Sequence, residues 1–498
     1  MKLLSFTLHP DKFCMEEMAI FGIKVAISRL FYENFSPTLA ISIDIKEYNM
    51  IPPRNRKVFF LNKKVLICIF LILPNLIFAQ ENKSDSTLQD ATLKNCIEYA
   101  IRHNPDIQNA GINEAIVETS IQSKLADWYP QIDFAYNLQH NFQLPTSNFN
   151  GNITKTGTYN TSGLNLGATQ NIFNSDLLLA SRTAKDVRIA ASENTREQKI
   201  NLAVLVSKAF YDLILTDQQL KVIEQDIVRT GQSVKDTYYQ YQAGIVDKTD
   251  NKRATIALNN AKAQKKSADE SIIAKKTYLK QLMGFPDSAV IDLAYDTTQM
   301  EKEIYLDTLQ KVSYDNRIEI QQLQTQKKLQ QYNLQYYKWS FLPDLYAFGN
   351  YNLNYLNNQF SKLYNQSYPN SYAGITLSLP IFQGGKRLQQ IKQAKYQITQ
   401  ADNNIKSYEN EVNTQYQTAI TTYKSNLYNF FSLKENLSLA SEVYDIIQLQ
   451  YRSGVKAYLD VITAESDLRT AQINYYNALY QVLSSKIDVE QSLGNIRY

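Results

Sequence analysis

The chain is poor in the residues that build catalytic and metal centres. Its 498 residues include three cysteines and three histidines. Cys14, Cys68 and Cys96 are too few and too scattered for a disulfide framework. Beyond the N-terminal segment the histidines are His103 and His140, which leaves a His/Cys metal site almost nothing to draw on. An excess of one charge sign is missing too: Lys+Arg number 52, Asp+Glu 48, for a net +4. That balance carries no polyanion-binding signature, so nucleic acid is not an expected partner. Gly384-Gly385-Lys386 lacks the spacing of a phosphate-binding loop. No catalytic constellation, cofactor or metal follows from these residues, and an enzyme is not the expectation.

The apolar run at Val65–Ala79 is shorter than the roughly 20 residues a spanning helix needs. Arg54, Arg56, Lys57, Lys63 and Lys64 precede it, and Gln80-Glu-Asn-Lys-Ser-Asp follows. Basic start, apolar centre and a small residue at the end read as a secretory signal peptide over 50–79, cut after Ala79. Cys68 lies inside the apolar run, not at its end, which argues against a lipid anchor. Met50 begins a well-formed signal. Residues 1–49 are therefore read as translated upstream sequence, the alternative being a disordered or cytoplasmic extension.

What the chain does have is tyrosine, 35 of them, and a duplication. Trp128-Tyr-Pro-Gln-Ile-Asp-Phe-Ala-Tyr-Asn137 matches Phe341-Leu-Pro-Asp-Leu-Tyr-Ala-Phe-Gly-Asn350. Tyr241-Gln-Ala-Gly244 matches Tyr451-Arg-Ser-Gly454, and Asp250, Ala254 and Leu258 match Asp460, Ala464 and Leu468. Anchors in one order at a spacing of roughly 210 residues mean a repeat. The first copy is read as 80–300 and the second as 301–498, together forming one integrated domain.

Each copy reads helix, strand, strand, long helix, turn, helix. In copy one Thr92–His103 and Asp106–Ala126 are expected helices, split at Asn104-Pro105. Leu306–Lys338 is their expected counterpart. Strands are expected at about 130–144, 161–173, 343–355 and 372–382. In the first, Ile132, Phe134, Tyr136, Leu138, Phe142 and Leu144 alternate with polar residues, and His140 alone interrupts the apolar face. In the third, Leu345, Tyr351, Leu353 and Tyr355 share a face, while Tyr346 and Phe348 point the other way. Pro145–Asn160 and Leu356–Asn370 read as long exposed loops. Such strands also suit a soluble sandwich. Four of them, however, make a poor sandwich and leave open edges, which a barrel shared between chains would remove.

The long helices are expected at 176–243 and 386–453, 68 residues each without a proline. Leu202, Val206, Ala209, Leu213, Leu220, Ile223, Ile227 and Val234 form a narrow stripe, which argues for coiled-coil packing and against a deep core. Gly244 and Gly454 stop these helices. Second helices follow at about Lys248–Met283 and Tyr458–Leu493, with Asp250 and Asp460 in their first turns, where a carboxylate suits the helix dipole.

Leu-Ser-Leu-Pro-Ile-Phe-Gln-Gly-Gly-Lys-Arg (377–387) and Tyr-Arg-Ser-Gly-Val-Lys-Ala-Tyr-Leu-Asp-Val (451–461) then carry a resemblance. With the duplication and the signal peptide, the chain resembles the outer-membrane efflux protein family, the TolC-like exit ducts, from about Leu88 to Gly494. The resemblance implies a mainly α fold with a membrane β-barrel contribution. Three chains would form one 12-stranded barrel in the outer membrane, standing on a helical periplasmic tunnel. It implies a passive conduit for efflux or type I secretion, opened by a periplasmic adaptor and an inner-membrane transporter of the RND, ABC or MFS type. Pro380, Gly384 and Gly385 would let the chain swing from barrel to tunnel. The gate and adaptor-docking tips would hold Tyr241, Gly244, Asp250, Tyr451, Gly454, Lys456 and Asp460. Tyr451 and Lys456 match positions that help hold the closed state, and Asp460 matches one of two acidic ring positions, the other being Thr463 here. The competing reading, from another class, is a secreted periplasmic coiled-coil scaffold without channel activity.

Overall fold

The computed structural model describes residues 88–149, 151–293 and 297–498. The expected signal peptide and the segment before it lie outside the described residues.

Helix α1 (Leu93–His103) is capped by Thr92, whose Oγ1 accepts from Asn95 N at 3.3 Å. Asn104 ends it and at once caps α2 (Pro105–Leu125), its Oδ1 accepting from Asp106 N at 2.8 Å. Proline at the first helical position costs nothing, because that amide has no partner inside the helix. A short strand, β1 (Leu88–Ala91), precedes α1. It pairs in parallel with β6 (Ile291–Leu293), a small sheet that alternation over so few residues does not announce.

Four long strands form an antiparallel sheet in the order β2 (Gln131–His140), β5 (Asn160–Phe173), β7 (Asp344–Asn357), β8 (Ser367–Ser378). Register sets Phe134 beside Leu166 and Leu166 beside Tyr351 on one face. Asn165, Asn352 and Asn370 line up on the other, where Asn352 Nδ2 donates to Asn370 Oδ1 at 2.8 Å. Tyr346 and Phe348 do point to this polar face. Phe348 lies across Gly374, where a Cβ would meet its ring at 2.9 Å. The sheet is not closed within one chain: β2 and β8 are its edges.

The ends of these strands differ from the sequence expectation. β2 stops at His140, not near 144, and Phe142 is 89 % exposed. His140 Nδ1 lies 2.7 Å from Asn160 Oδ1, and Asn160 Nδ2 donates to the carbonyls of Asn357 and Asn358 at 3.1 Å. This polar knot closes the rim of the sheet. Pro145–Asn160 is not all loop but holds a hairpin, β3 (Thr146–Phe149) and β4 (Asn152–Lys155). β8 begins earlier than expected, at Ser367, after a short 3-10 helix over Phe360–Asn365.

Helix α3 (Ser175–Gln242, 68 residues) and helix α7 (Lys386–Arg452, 67 residues) each extend about 100 Å at 1.5 Å per residue. Two shorter helices stack end to end along each. Beside α3 these are α2 and α4 (Lys248–Met283); beside α7 they are α6 (Ile318–Trp339) and α8 (Tyr458–Leu493). Across the molecule the packing order is α2/α4, α3, α6/α8, α7, the same order as the strands they adjoin.

Both stacking joints use one device. Gly284 ends α4 at φ +65°, and a Cβ there would lie 2.5 Å from His103 O. Gly494 ends α8 at φ +72°, and a Cβ would lie 2.7 Å from Asn316 O. Asn104 Nδ2 reaches across the first joint to Leu282 O at 2.9 Å. At the second, Arg317 donates to the carbonyls of Gln491 and Ser492 at 3.1 Å.

Two expectations fail around these joints. Leu306–Lys338 is not one helix: α6 begins at Ile318, and a short helix α5 (Thr297–Glu303) lies upstream. The segment between can stay irregular because distant side chains bond carbonyls within it and at the end of α5 that leads into it. Tyr423 Oη donates to Ile304 O and Tyr416 Oη to Gln310 O, both at 2.7 Å, and Lys486 Nζ donates to Glu303 O at 2.6 Å. Nor is α3 packed only along a narrow stripe. Between Leu202 and Thr216 it is buried on most sides, in a core with α1, α5, the end of α4, α8 and Tyr423 and Phe430 of α7. This core sits midway along both long helices. Towards the tips the stripe reading fits better, with Leu220, Ile227 and Val234 only partly buried.

Candidate functional site

Sequence places the candidate residues at two helical tips and one strand-to-helix passage. The tips are near copies. Gly244 and Gly454 take φ +73° and +76°, and each donates to a tyrosine carbonyl, of Tyr241 and Tyr451, at 3.0 Å. Ile245 N and Val455 N reach back to Gln240 O and Gln450 O at 2.8 and 2.9 Å. Backbone amides that bond the last free carbonyls end a helix in a tight left-handed cap.

The starts of the next helices differ. Asp247 caps α4 through a 3.0 Å bond from Thr249 N, so Asp250 is not the cap, although it stands in the first turn. The cap position before α8 is Ala457, which has no side-chain acceptor; there Asp460 Oδ2 accepts from Ala457 N at 3.2 Å. Lys456 Nζ stands 4.0 Å from the same carboxylate, a half-exposed pair that contributes little. Thr463 is exposed, and its hydroxyl is turned back onto Leu459 O at 2.9 Å.

One sequence-chosen residue joins the two tips. Tyr451 Oη donates to Gln240 Oε1 at 2.7 Å, tying the end of α7 to the end of α3. Burial raises the Tyr451 phenol above its ordinary pKa, and Asp236 and Asp250 add to this. Behind it Tyr458, 3 % exposed, packs with Ala254 and Val461; burial pushes its phenol up to about 12. Both therefore stay neutral donors. Tyr241 and Gly244 belong to the same tip, but Lys456 reaches no group on α3 or α4 among the described residues.

Sequence reasoning missed what lies a few turns inward. Asp226, fully buried on α3, meets Arg469 of α8 at 2.9 Å and Arg229 at 3.5 Å. Arg229 in turn meets Glu465 of α8 at 3.2 Å and lies over the Tyr444 ring, 5.8 Å from its centroid. Burial, and then Asp226, pushes the Glu465 carboxyl above the usual carboxylate range, against the pull of the two arginines. These residues are separated by more than two hundred positions, and only the polar interruptions in the apolar stripe at Asp226 and Glu465 hinted at them.

At the passage from β8 to α7, Gly384 and Gly385 take φ +57° and +81°, both with open space where a Cβ would stand. Arg387, quoted with the motif but not singled out, proves central. It donates to Pro380 O and to Gln383 Oε1 and stacks on Phe341, 4.9 Å from its centroid. The matching passage in copy one needs no glycine: Asn174 caps α3 in extended backbone, accepting from Asp176 N at 2.9 Å.

No group of metal ligands occurs among the described residues, and no described helix is long and apolar enough to cross a membrane, which leaves a barrel untouched as a question. The family model for outer membrane efflux protein matches residues 96–285 and 311–495. The chain belongs to the outer membrane efflux protein family. Both matched blocks end within a residue of the stacking glycines, Gly284 and Gly494, so the family pattern and the structural repeat coincide. Among relatives of this efflux protein is the outer membrane protein TolC of Vibrio cholerae, 19 % identical over 431 residues, covering 85 % of this chain and 95 % of that one. The alkaline protease secretion protein AprF of Pseudomonas aeruginosa is 22 % identical over 365 residues, covering 72 % and 74 %. The solved channel CusC superposes with a TM-score of 0.67 at 17 % identity, covering 81 % of this chain and 92 % of that one. This efflux protein is an outer-membrane protein with the mainly α fold of those channels.

Proposed function

We propose that the chain is the exit duct of a tripartite efflux or type I secretion system, acting as a homotrimer. One observation carries this reading. The open sheet exposes an apolar face, with Phe134 and Ile375 both 69 % exposed, and its strands run without a domain break into the tunnel helices. An apolar sheet face with two unpaired edges is unstable in water. Twelve strands from three chains would close the edges and set that face against lipid, with the asparagine rows inside.

The helices would then enclose a periplasmic passage. The tips around Tyr241, Gly244, Asp250, Tyr451, Gly454, Lys456 and Asp460 would form its gate and the docking end for a periplasmic adaptor, with an inner-membrane transporter of the RND, ABC or MFS type supplying energy. Pro380, Gly384 and Gly385 would act as the swivel. Residues 50–79 would be removed on export, and the two repeats at 80–300 and 301–498 would act as one channel domain. The AprF relative, by its name, serves protease secretion, which keeps polypeptide cargo alongside small molecules.

The test is extraction followed by conductance. The expected protein resists high salt and carbonate, leaves the membrane only with detergent, and conducts in planar bilayers, with Asp460→Asn lowering cation preference. Release by carbonate would instead establish the periplasmic scaffold. A detergent-dependent channel whose selectivity ignores Asp460→Asn would remove that residue from the entrance.

A further inference from the structure

The loops at the end of the sheet away from the helices are not alike in the two copies. Copy one has the hairpin β3–β4. Copy two has the segment Phe360–Asn365, which folds back onto the sheet. Tyr364 Oη lies 2.9 Å from Tyr136 Oη and donates to Ser162 Oγ at 3.3 Å, and its ring meets Tyr355 edge-on at 5.0 Å. Register puts Tyr136, Ser162 and Tyr355 on the same face as Phe134, Leu166 and Tyr351. The segment is therefore a strap across the apolar face, not across the asparagine rows. Leu363 of the strap is 1 % exposed, and Asn357 Nδ2 donates to Lys362 O at 3.1 Å. Lys362 is thus presented outward from fixed backbone, with the exposed Phe360 just before it.

Charge and height point to what the strap meets. Residues 139–162 and 352–372 form this end of the sheet with its loops; they contain Lys155, Lys362 and His140 and no aspartate or glutamate. The carboxylates of the sheet, Asp133 and Asp344, sit towards the helical end. Both lysines are exposed, and neither has an ion-pair partner among the described residues. Below the strap the outward side chains of β5 run Leu164, Leu166, Ala168, Gln170, Ile172. At about 3.3 Å per residue and a tilt of about 40°, that run rises about 20 Å, close to the roughly 25 Å apolar band of a membrane barrel. The strap sits at the upper edge of that band. Tyr136 and Tyr364 tie their hydroxyls to each other and leave their ring flanks half-exposed, the disposition of tyrosine at a lipid–water boundary. A cationic, acid-free rim at that level complements lipid phosphate.

We propose that the strap holds a phosphate-bearing lipid of the outer leaflet. Lys362 pairs with the headgroup phosphate, and Phe360 and Tyr364 lie along the upper part of the lipid chains. This rests on the duct reading, which supplies the membrane, and names the lipid chemistry that the outward face selects.

Native mass spectrometry of the full-length, detergent-solubilised protein tests this, with diphosphoryl lipid A as the probe and phosphate-free digalactosyl diacylglycerol as its comparison. The native chain should retain lipid A in preference to the galactolipid. Lys362→Ala should weaken lipid A binding about fivefold, while Lys362→Arg and Lys155→Ala stay within about twofold of the native chain. Lys362 is exposed and bonds only through its backbone, so the fold is expected to tolerate both changes there. Equal losses from Lys362→Ala and Lys155→Ala would assign binding to diffuse charge and overturn the strap as the site. Lipid A binding that ignores Lys362→Ala, or equal retention of the two lipids by the native chain, overturns it as well. Either result in a trimer that needs detergent and conducts removes the strap alone and leaves the duct standing. A monomer released by carbonate removes the duct reading, and with it the membrane that the strap would face.

Discussion

At the residue scale, the two joints between stacked helices are the least forgiving points. Gly284 and Gly494 combine positive φ with a carbonyl where a Cβ would stand. Strain from the left-handed backbone and the clash add, so Gly284→Ala should cost about 2–4 kcal/mol. Gly454→Ala, equally left-handed but in open space, should cost only about 1 kcal/mol. Denaturant unfolding of the two variants checks the ranking; equal losses would mean that the close approach is not rigid. Glycine at a helix end was legible in the sequence, but which glycines also touch a distant carbonyl was not. That depends on His103 and Asn316 arriving from other parts of the chain. The same holds at the helical tips, where Tyr451 was readable from its motif and its acceptor Gln240 was not.

At the scale of elements, the α3–α8 contact is the link between the two repeats, and its buried charges make it respond to pH. Asp226, Arg229, Arg469, Tyr444 and Tyr458 surround Glu465. A carboxyl raised in the folded chain favours folding below the unfolded carboxylate range. That contribution is lost as pH climbs through the raised value. Glu465→Gln, which cannot ionise, should therefore gain stability relative to the native chain as pH rises from the ordinary carboxylate range through the raised value. Paired melting curves across that range test it, and a variant that instead loses ground as pH rises would show that the arginines outweigh burial. The long helices and the sheet were legible because one period runs through each for many residues. Leu306–Asn316 was not, because Tyr416, Tyr423 and Lys486 satisfy the carbonyls of that segment or of its immediate approach, and local sequence carries no trace of them. The core between Leu202 and Thr216 was hidden for a similar reason: a two-sided helix needs partners that the stripe does not name.

At the scale of the molecule, strands and helices share one order, and the same two layers are left uncovered at both ends. That agreement follows from the duplication. Each repeat lays one strand pair on one long helix, and the second repeat repeats the first beside it. On the proposed duct reading, a wall built this way is incomplete until copies close it, and three copies of four strands would supply a 12-stranded barrel. The most direct measurement is the mass of the detergent-solubilised protein from outer membranes by light scattering, corrected for bound detergent. The account predicts three chains per particle. A monomer that leaves the membrane without detergent would contradict it.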